Sequence, residues 1–239
     1  MKLYFDLLSQ PSRALYMFFK LNKIPFEPMV TKLARGQQFS KSFQEVNRFK
    51  MVPCIDDNGF KLSESVAIFR YVVASNPTLV ADHWYPKDLK ERAKVDEYLE
   101  WQHNSTRIGC TGYLRAKFLE PTIKWKAPSE QKIASAKDQM EKALNLLETV
   151  WLEDPSKPFL ASKEISFADV LAVCELEGPK IADYDIFAGR PNLAKWHQLV
   201  REQTNPIFDE AHAPNNTLVG TMTKSKLHRL WKMFFSYNY

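Results

Sequence analysis

Glycine is scarce in this chain of 239 residues: Gly 7 stands against Pro 14. That balance predicts helices joined by stiff connections, with few glycine turns. Cysteine is scarcer still. Cys54, Cys110 and Cys174 are odd in number and far apart, which fits reduced thiols in a reducing compartment better than a disulfide framework. The histidines at 83, 103, 197, 212 and 228 never fall three or four residues apart, so no zinc-type spacing exists and no metal is expected. No stretch reaches the roughly 18 uncharged apolar residues of a membrane span. The opening Met1-Lys2-Leu3-Tyr4-Phe5-Asp6 lacks the apolar core and small-residue cleavage site of a signal peptide. A cytoplasmic location is the resulting expectation. No basic run is interleaved with aromatics, which argues against nucleic acid as a partner. The net charge of +5 would still favour a small anionic ligand.

What is present is an ordinary globular composition, 45% hydrophobic and 26% charged, written in two grammars. Up to residue 76 short strand-like and helix-like pieces alternate. Leu3-Tyr4-Phe5 reads as a strand and Ser12 to Asn22 as a helix. Pro25 to Val30 reads as a proline-punctuated edge strand, followed by a short helix from Ser40 to Val46. Val52 to Asp56, the turn Asp57-Asn58-Gly59 and Phe60-Lys61-Leu62 form a hairpin. A helix then opens at Ser63 or Glu64. The order β-α-β-α-β-β-α predicts a small mixed sheet covered by helices.

Residues 77–86 read as a linker. Beyond it the pattern is long helices: Lys87 to about Phe118, Ser129 to Trp151, one opened by Ser166-Phe167-Ala168-Asp169, and Pro191 to Glu202. Ser166 and Asp169 have capping-box spacing, with Ile165 as an apolar staple. In the tail, Leu227, Leu230, Trp231, Phe234 and Phe235 share one helical face.

Four motifs in order give the chain a recognisable likeness: Ser9-Gln10-Pro11-Ser12-Arg13, Met51-Val52-Pro53, Glu64-Ser65 and Ser166-Phe167-Ala168-Asp169. Together with Trp84-Tyr85-Pro86 and the run from Val95 to His103, they make nearly the whole sequence resemble the theta class of glutathione transferases. The resemblance implies a two-domain α+β/α protein. Residues 1–80 would form a thioredoxin-like glutathione-binding domain and residues 87–239 an all-helical C-terminal domain with a capping tail. It also implies a homodimer, detoxification chemistry, glutathione as co-substrate and no permanently bound cofactor.

The resemblance assigns roles that the residues alone leave open. Ser9 by itself reads as a helix N-cap; the family reading makes it the donor to the sulfur of bound glutathione. A free thiol has a pKa near ~8.5, and a hydrogen bond made only to the thiolate lowers it. Tyr4 is the rival donor, since other classes use an early tyrosine, but inside a strand it reads as packing. Arg13 reads either as a structural ion pair or as a support of the site. Val52-Pro53 would be a cis bond, presenting the valine backbone to glutathione like an added strand. Glu64 and Ser65 read as helix capping, or as ligands of the γ-glutamyl ammonium and carboxylate.

Gln38 and Met51 stand where relatives often carry histidine and lysine near the glycyl end. Met51 offers no charge there, leaving Lys50 or Lys41 as substitutes. Asn104 and Arg107 are expected to face the cleft. Arg107 reads as a surface ion pair, or as the group that stabilises a departing anion. Trp231 would border the electrophile under a closing tail, though the same tail also suits a membrane surface or a partner helix. Two other functions compete: a non-catalytic glutathione-fold protein that binds apolar ligands or protein partners, and a thiol–disulfide oxidoreductase. The second needs a cysteine near the first helix, and residues 7–14 contain none.

Overall fold

The computed structural model describes residues 1–124 and 129–220. Strand β1, Lys2–Phe5, sits inside a four-stranded sheet. Helix α1, Gln10–Leu21, carries the chain over to β2, Glu27–Val30, which pairs parallel to β1 with Leu3 opposite Pro28. A parallel pair requires such a crossover. The two prolines of that segment cause no conflict, because β2 is an edge strand. Short turns and α2, Lys41–Val46, lead to β3, Cys54–Asp57, antiparallel to β1 with Leu3 opposite Ile55. The predicted hairpin to β4, Phe60–Ser63, closes through Asn58 and Gly59 at φ 53° and 95°. Both values belong to the two-residue turns in which Asn-Gly excels. The sheet order is β2-β1-β3-β4, and α3, Ser65–Ser75, follows.

The connection through residues 76–88 is anchored rather than loose. Trp84 is buried, and its ring lies 5.6 Å from Phe18 on α1. Phe18 also meets Phe69 on α3 at 5.0 Å and Phe167 at 5.5 Å, while Phe69 and Phe167 stack at 4.0 Å. This aromatic cluster fuses the sheet unit to the helical unit in one apolar core.

The predicted long helix from Lys87 is interrupted. Helix α4, Leu89–Trp101, starts at Asp88, whose carboxylate accepts from the backbone of Lys90 and Glu91. A tight turn at 102–104 and a non-helical Ser105 (φ −126°, ψ −95°) separate it from α5, Thr106–Leu114. The break has a tertiary reason. Helix α5 lies so close to the next long helix that a Cβ at Gly109 would fall 2.8 Å from Met140 Cα, an approach no periodicity announces. One wide turn, Arg115–Leu119, leads into α6, Glu120–Lys124. Helix α7, Glu130–Leu146, begins at the expected Ser129 and continues as a wide turn to Trp151.

Helix α8, Phe167–Leu176, is buried along its whole length. Its capping box forms, with the Asp169 carboxylate accepting from the Ser166 backbone at 2.9 Å. The same carboxylate accepts from the Leu160 N–H and the Trp196 indole, both at 2.9 Å. The cap therefore also pins the preceding loop and α10. Helix α9, Gly178–Ile181, α10, Pro191–Thr204, and α11, Ile207–Asn216, complete the described fold. Among the described residues no helix is long and apolar enough to cross a membrane. Lys226 to Phe235, including Trp231, lie outside them.

Candidate active site

A cleft open to solvent lies between the sheet unit and the helical unit. One wall is the sheet unit's. It brings together Pro11 at the start of α1, Met51-Val52-Pro53 before β3, and Ser63-Glu64-Ser65 where α3 begins. These segments are far apart in the chain. Their meeting follows from the antiparallel β3–β4 pairing, which sets Cys54 opposite Ser63.

Ser9 ends the β1–α1 loop with extended backbone angles (φ −87°, ψ 123°), the geometry of an N-cap residue. Its side chain nevertheless makes no cap bond to the helix. The hydroxyl instead donates to the Val52 carbonyl at 3.4 Å, a long and weak bond across the gap between the two segments. The Val52-Pro53 bond is cis. The positive end of α1 lies beside the Ser9 hydroxyl.

The turn before Val52 is tied down by a residue that sequence reasoning missed. Asn47 is buried and donates to the Met51 carbonyl at 2.7 Å, while its Oδ1 accepts from the Phe49 N–H at 3.0 Å. Lys50 inside that turn has φ 58°. Glu64 has φ 71° and ψ 115°, a sparsely populated region for any residue with a Cβ. Its side chain makes no cap bond. Strained backbone at the mouth of a cleft is a common mark of a ligand clamp.

The helical wall supplies Gln102, His103, Arg107, Leu171 and Glu175. Arg107 is more than a lone surface charge. Its guanidinium donates to Glu175 Oε1 at 2.5 Å, and the Glu175 side chain is 1% exposed against 37% for Arg107. The other Glu175 oxygen accepts from the Thr111 hydroxyl at 3.2 Å, which accepts from Gln10 Nε2 at 3.3 Å. Gln10 is the residue after Ser9, so a hydrogen-bond chain joins the walls. Glu175 had one sequence signal: it is the second acid in an otherwise apolar helical run, and the first, Asp169, is explained by its cap.

The remaining expected residues divide. Met51 lines the cleft and is 54% exposed. Asn104 is exposed on the turn, and Gln102 and His103 are the cleft residues there. Gln38 sits in the turn Gln37–Phe39 with its Oε1 buried and unpartnered among the described residues. Tyr4 lies on β1 with its ring edge-on to Phe43 at 6.1 Å, outside the lining, and burial raises its phenol pKa. Among the described residues Arg13 makes no ion pair. Completely buried, it donates to the carbonyls of Leu7 at 2.7 Å and Cys174 at 2.9 Å, and to Asn215 Oδ1 at 3.4 Å. It thus holds the loop that presents Ser9.

All three cysteines are buried and free. Burial pushes the thiols of Cys54 and Cys174 up to about 12 and also raises that of Cys110. A disulfide-exchange nucleophile needs the opposite shift. Among the described residues no group of histidine, cysteine and acidic side chains is placed to hold a metal ion.

A thioredoxin-like sheet unit packed on a helical unit, with a cleft at their junction, is the architecture of the glutathione-binding transferases. Residues 3–74 match the family model for the glutathione S-transferase N-terminal domain, and residues 107–204 the model for its C-terminal domain. The chain belongs to the glutathione S-transferase family. It is 43% identical to human glutathione S-transferase theta-1 over 213 residues, 89% of this chain and 87% of the relative. Against rat theta-2 it is 40% identical over 228 residues, covering 95% and 91%. The apo form of human glutathione S-transferase T1-1 superposes with a TM-score of 0.85 at 38% identity, covering 98% of both chains. A human theta-class transferase in complex with the glutathione conjugate of 1-menaphthyl sulfate gives 0.82 at 35% identity, covering 99% and 98%.

Proposed function

We propose that this glutathione transferase keeps the sulfur of bound glutathione ionised with the Ser9 hydroxyl and directs it at small electrophiles. The supporting observation is the state of that hydroxyl. Ser9 occupies the N-cap position of α1 yet leaves the helix uncapped, and its nearest partner is the Val52 carbonyl at a long 3.4 Å. A stronger acceptor, such as a thiolate, would draw that hydrogen bond to itself while the proton stays on the serine oxygen. The bond is made to the anion alone, and each pH unit by which it lowers the thiol pKa corresponds to about 1.4 kcal/mol.

In this reading the sheet wall binds the tripeptide. Val52 and Pro53 face its cysteinyl segment. Glu64 and Ser65 take the γ-glutamyl ammonium and carboxylate at the start of α3, where free N–H groups suit an anion. Gln38 and Met51 border the glycyl end, and Met51 gives the glycyl carboxylate no charge. The helical wall takes the second substrate, with Arg107 near the leaving group and Asn104 at the glutathione rim. The thiolate attacks an electrophilic carbon, a sulfur–carbon bond forms, and the carbon–halogen bond breaks with its electron pair leaving as halide. The thiol proton passes to solvent. Epoxides and activated alkenes accept the same nucleophile, and organic peroxides fall within its reach. Domain limits of 1–80 and 87–239, a homodimer and a cytoplasmic setting belong to the same proposal, as does a tail bringing Trp231 over the site.

Conjugation kinetics of Ser9→Ala beside Tyr4→Phe test the reading. Ser9→Ala should lower kcat by about 10²-fold and raise the pKa of the bound thiol, read from the pH dependence of kcat/KM, while Tyr4→Phe changes neither. The reverse pattern would move the thiolate donor to Tyr4. Retention on immobilised glutathione without turnover of an alkyl halide, an epoxide and a peroxide would favour a non-catalytic binder.

A further inference from the structure

The Arg107 guanidinium meets the cleft already balanced. One of its nitrogens is engaged by Glu175 at 2.5 Å, and among the described residues its other nitrogens have no partner. Glu175 is held firmly from behind, because its second oxygen accepts from Thr111, which is in turn braced by Gln10. A buried carboxylate without a counter-charge would be strongly unfavourable, so Glu175 and Arg107 constrain each other. We propose that Glu175 sets the charge preference of the electrophile subsite. Its carboxylate cancels the long-range field of Arg107, so that the cleft prefers neutral substrates that release an anion over substrates that arrive as anions.

The moment at which negative charge appears decides which substrates gain. An unpaired arginine binds a ground-state anion as well as a transition-state anion, which lowers KM without raising kcat. A paired arginine attracts little from a distance. It still presents N–H donors in a fixed fork to any group that comes within hydrogen-bond range. A halide leaving carbon acquires its charge inside that range, and only as the bond breaks. Glu175 is therefore a positioning and specificity residue acting through Arg107. The inference rests on the reading that the helical wall takes the electrophile.

Inorganic sulfate is the probe, used as an inhibitor of glutathione conjugation to a neutral alkyl halide by the full-length enzyme. Glu175→Gln should lower the sulfate inhibition constant by about tenfold, with sulfate competing against the halide. The effect should vanish in the double variant Glu175→Gln/Arg107→Gln. An unchanged constant in folded Glu175→Gln, or an effect that survives removal of Arg107, overturns the proposal. If Glu175→Gln does not fold, Glu175→Asp draws the carboxylate back by one methylene and should lower the constant about two- to threefold; no change there is equally fatal. Competition by sulfate against glutathione instead of the halide would show that the electrophile was placed on the wrong wall. It would sink the inference together with that placement, whereas an unchanged constant sinks the inference alone.

Discussion

The two walls of the cleft each depend on an arginine, and the two arginines are treated in opposite ways. Arg13 stands behind the sheet wall, completely buried, and its guanidinium faces two carbonyls and an amide oxygen. Arg107 stands on the helical wall, partly exposed, and its guanidinium faces a carboxylate. Neutral partners leave a charge at full strength but fix its position, which suits a brace. A carboxylate partner cancels the charge and leaves donors to spare, which suits a group that must respond to what enters. The same side chain serves as scaffold in one wall and as selector in the other.

The largest effect is expected at Arg13. Arg13→Met keeps the volume but removes hydrogen bonds from a charged donor to the Leu7 and Cys174 carbonyls, each worth about 1.5–3 kcal/mol. Relief of the guanidinium's own desolvation offsets part of that loss. The expected net destabilisation is about 3 kcal/mol, or a fall in Tm of about 6–12 °C. Thermal unfolding checks it. Because Leu7 lies two residues before Ser9, the surviving folded enzyme should also show a raised thiol pKa. A variant as stable as the wild type would mean that Arg13 fills space and braces nothing.

The next test uses pH. His212 on α11 is buried, its Nδ1 faces the Phe208 carbonyl at 2.8 Å, and its Nε2 has no partner among the described residues. Burial first, and then the nearby charge of Arg13, push its pKa down to about 4. The unfolded chain takes up this proton near pH ~6.5 and the folded chain only near 4. Between those values the unfolded state holds more protons, so the histidine's effect on stability is unfavourable and grows as pH falls. Up to about 3 kcal/mol is lost across that window, and nothing more below it. Denaturant unfolding of wild type and His212→Leu at pH 7, 5.5 and 4 should show a shallower slope in the variant. In Arg13→Met the window should narrow, because the repelling charge has gone. Parallel slopes in wild type and His212→Leu would show that another group carries the acid sensitivity.

How far the sequence announced all this depends on the distance over which each feature is decided. The β1-α1-β2 crossover, the Asn58-Gly59 hairpin and the Ser166/Asp169 box are settled within a few residues, and their local pattern predicts them. The pattern places the α1 start at Ser12, but the helix begins at Gln10, since Pro11 suits a first turn as well as a loop. The break at Ser105 was invisible because α5 is positioned by the backbone of α7. The local pattern does not announce α11, because Pro214 inside it speaks against a helix. Val52, Pro53, Glu64 and Ser65, which line the cleft, and Ser9, which the proposed function adds to them from outside that lining, could be proposed from family motifs. Neither Asn215 behind Arg13 nor Glu175 behind Arg107 could, because those pairs are 202 and 68 residues apart.

The smallest effect on stability is expected at Glu64, and it sharpens the contrast between the walls. At φ 71° and ψ 115° a residue with a Cβ is strained by about 1–3 kcal/mol. Glycine would adopt those angles freely, but it adds about 0.4–1 kcal/mol of unfolded-state entropy. Glu64→Gly should therefore leave stability unchanged or raise it by about 1 kcal/mol, while KM for glutathione increases and KM for the electrophile does not. That outcome would mark the sheet wall as one that tolerates a strained backbone in order to aim a side chain at the tripeptide. The helical wall aims Arg107 through an ion pair from the first turn of α5. Clear destabilisation of Glu64→Gly, with KM for glutathione unchanged, would show the reverse: the glutamate supports the start of α3, and the strain serves the fold.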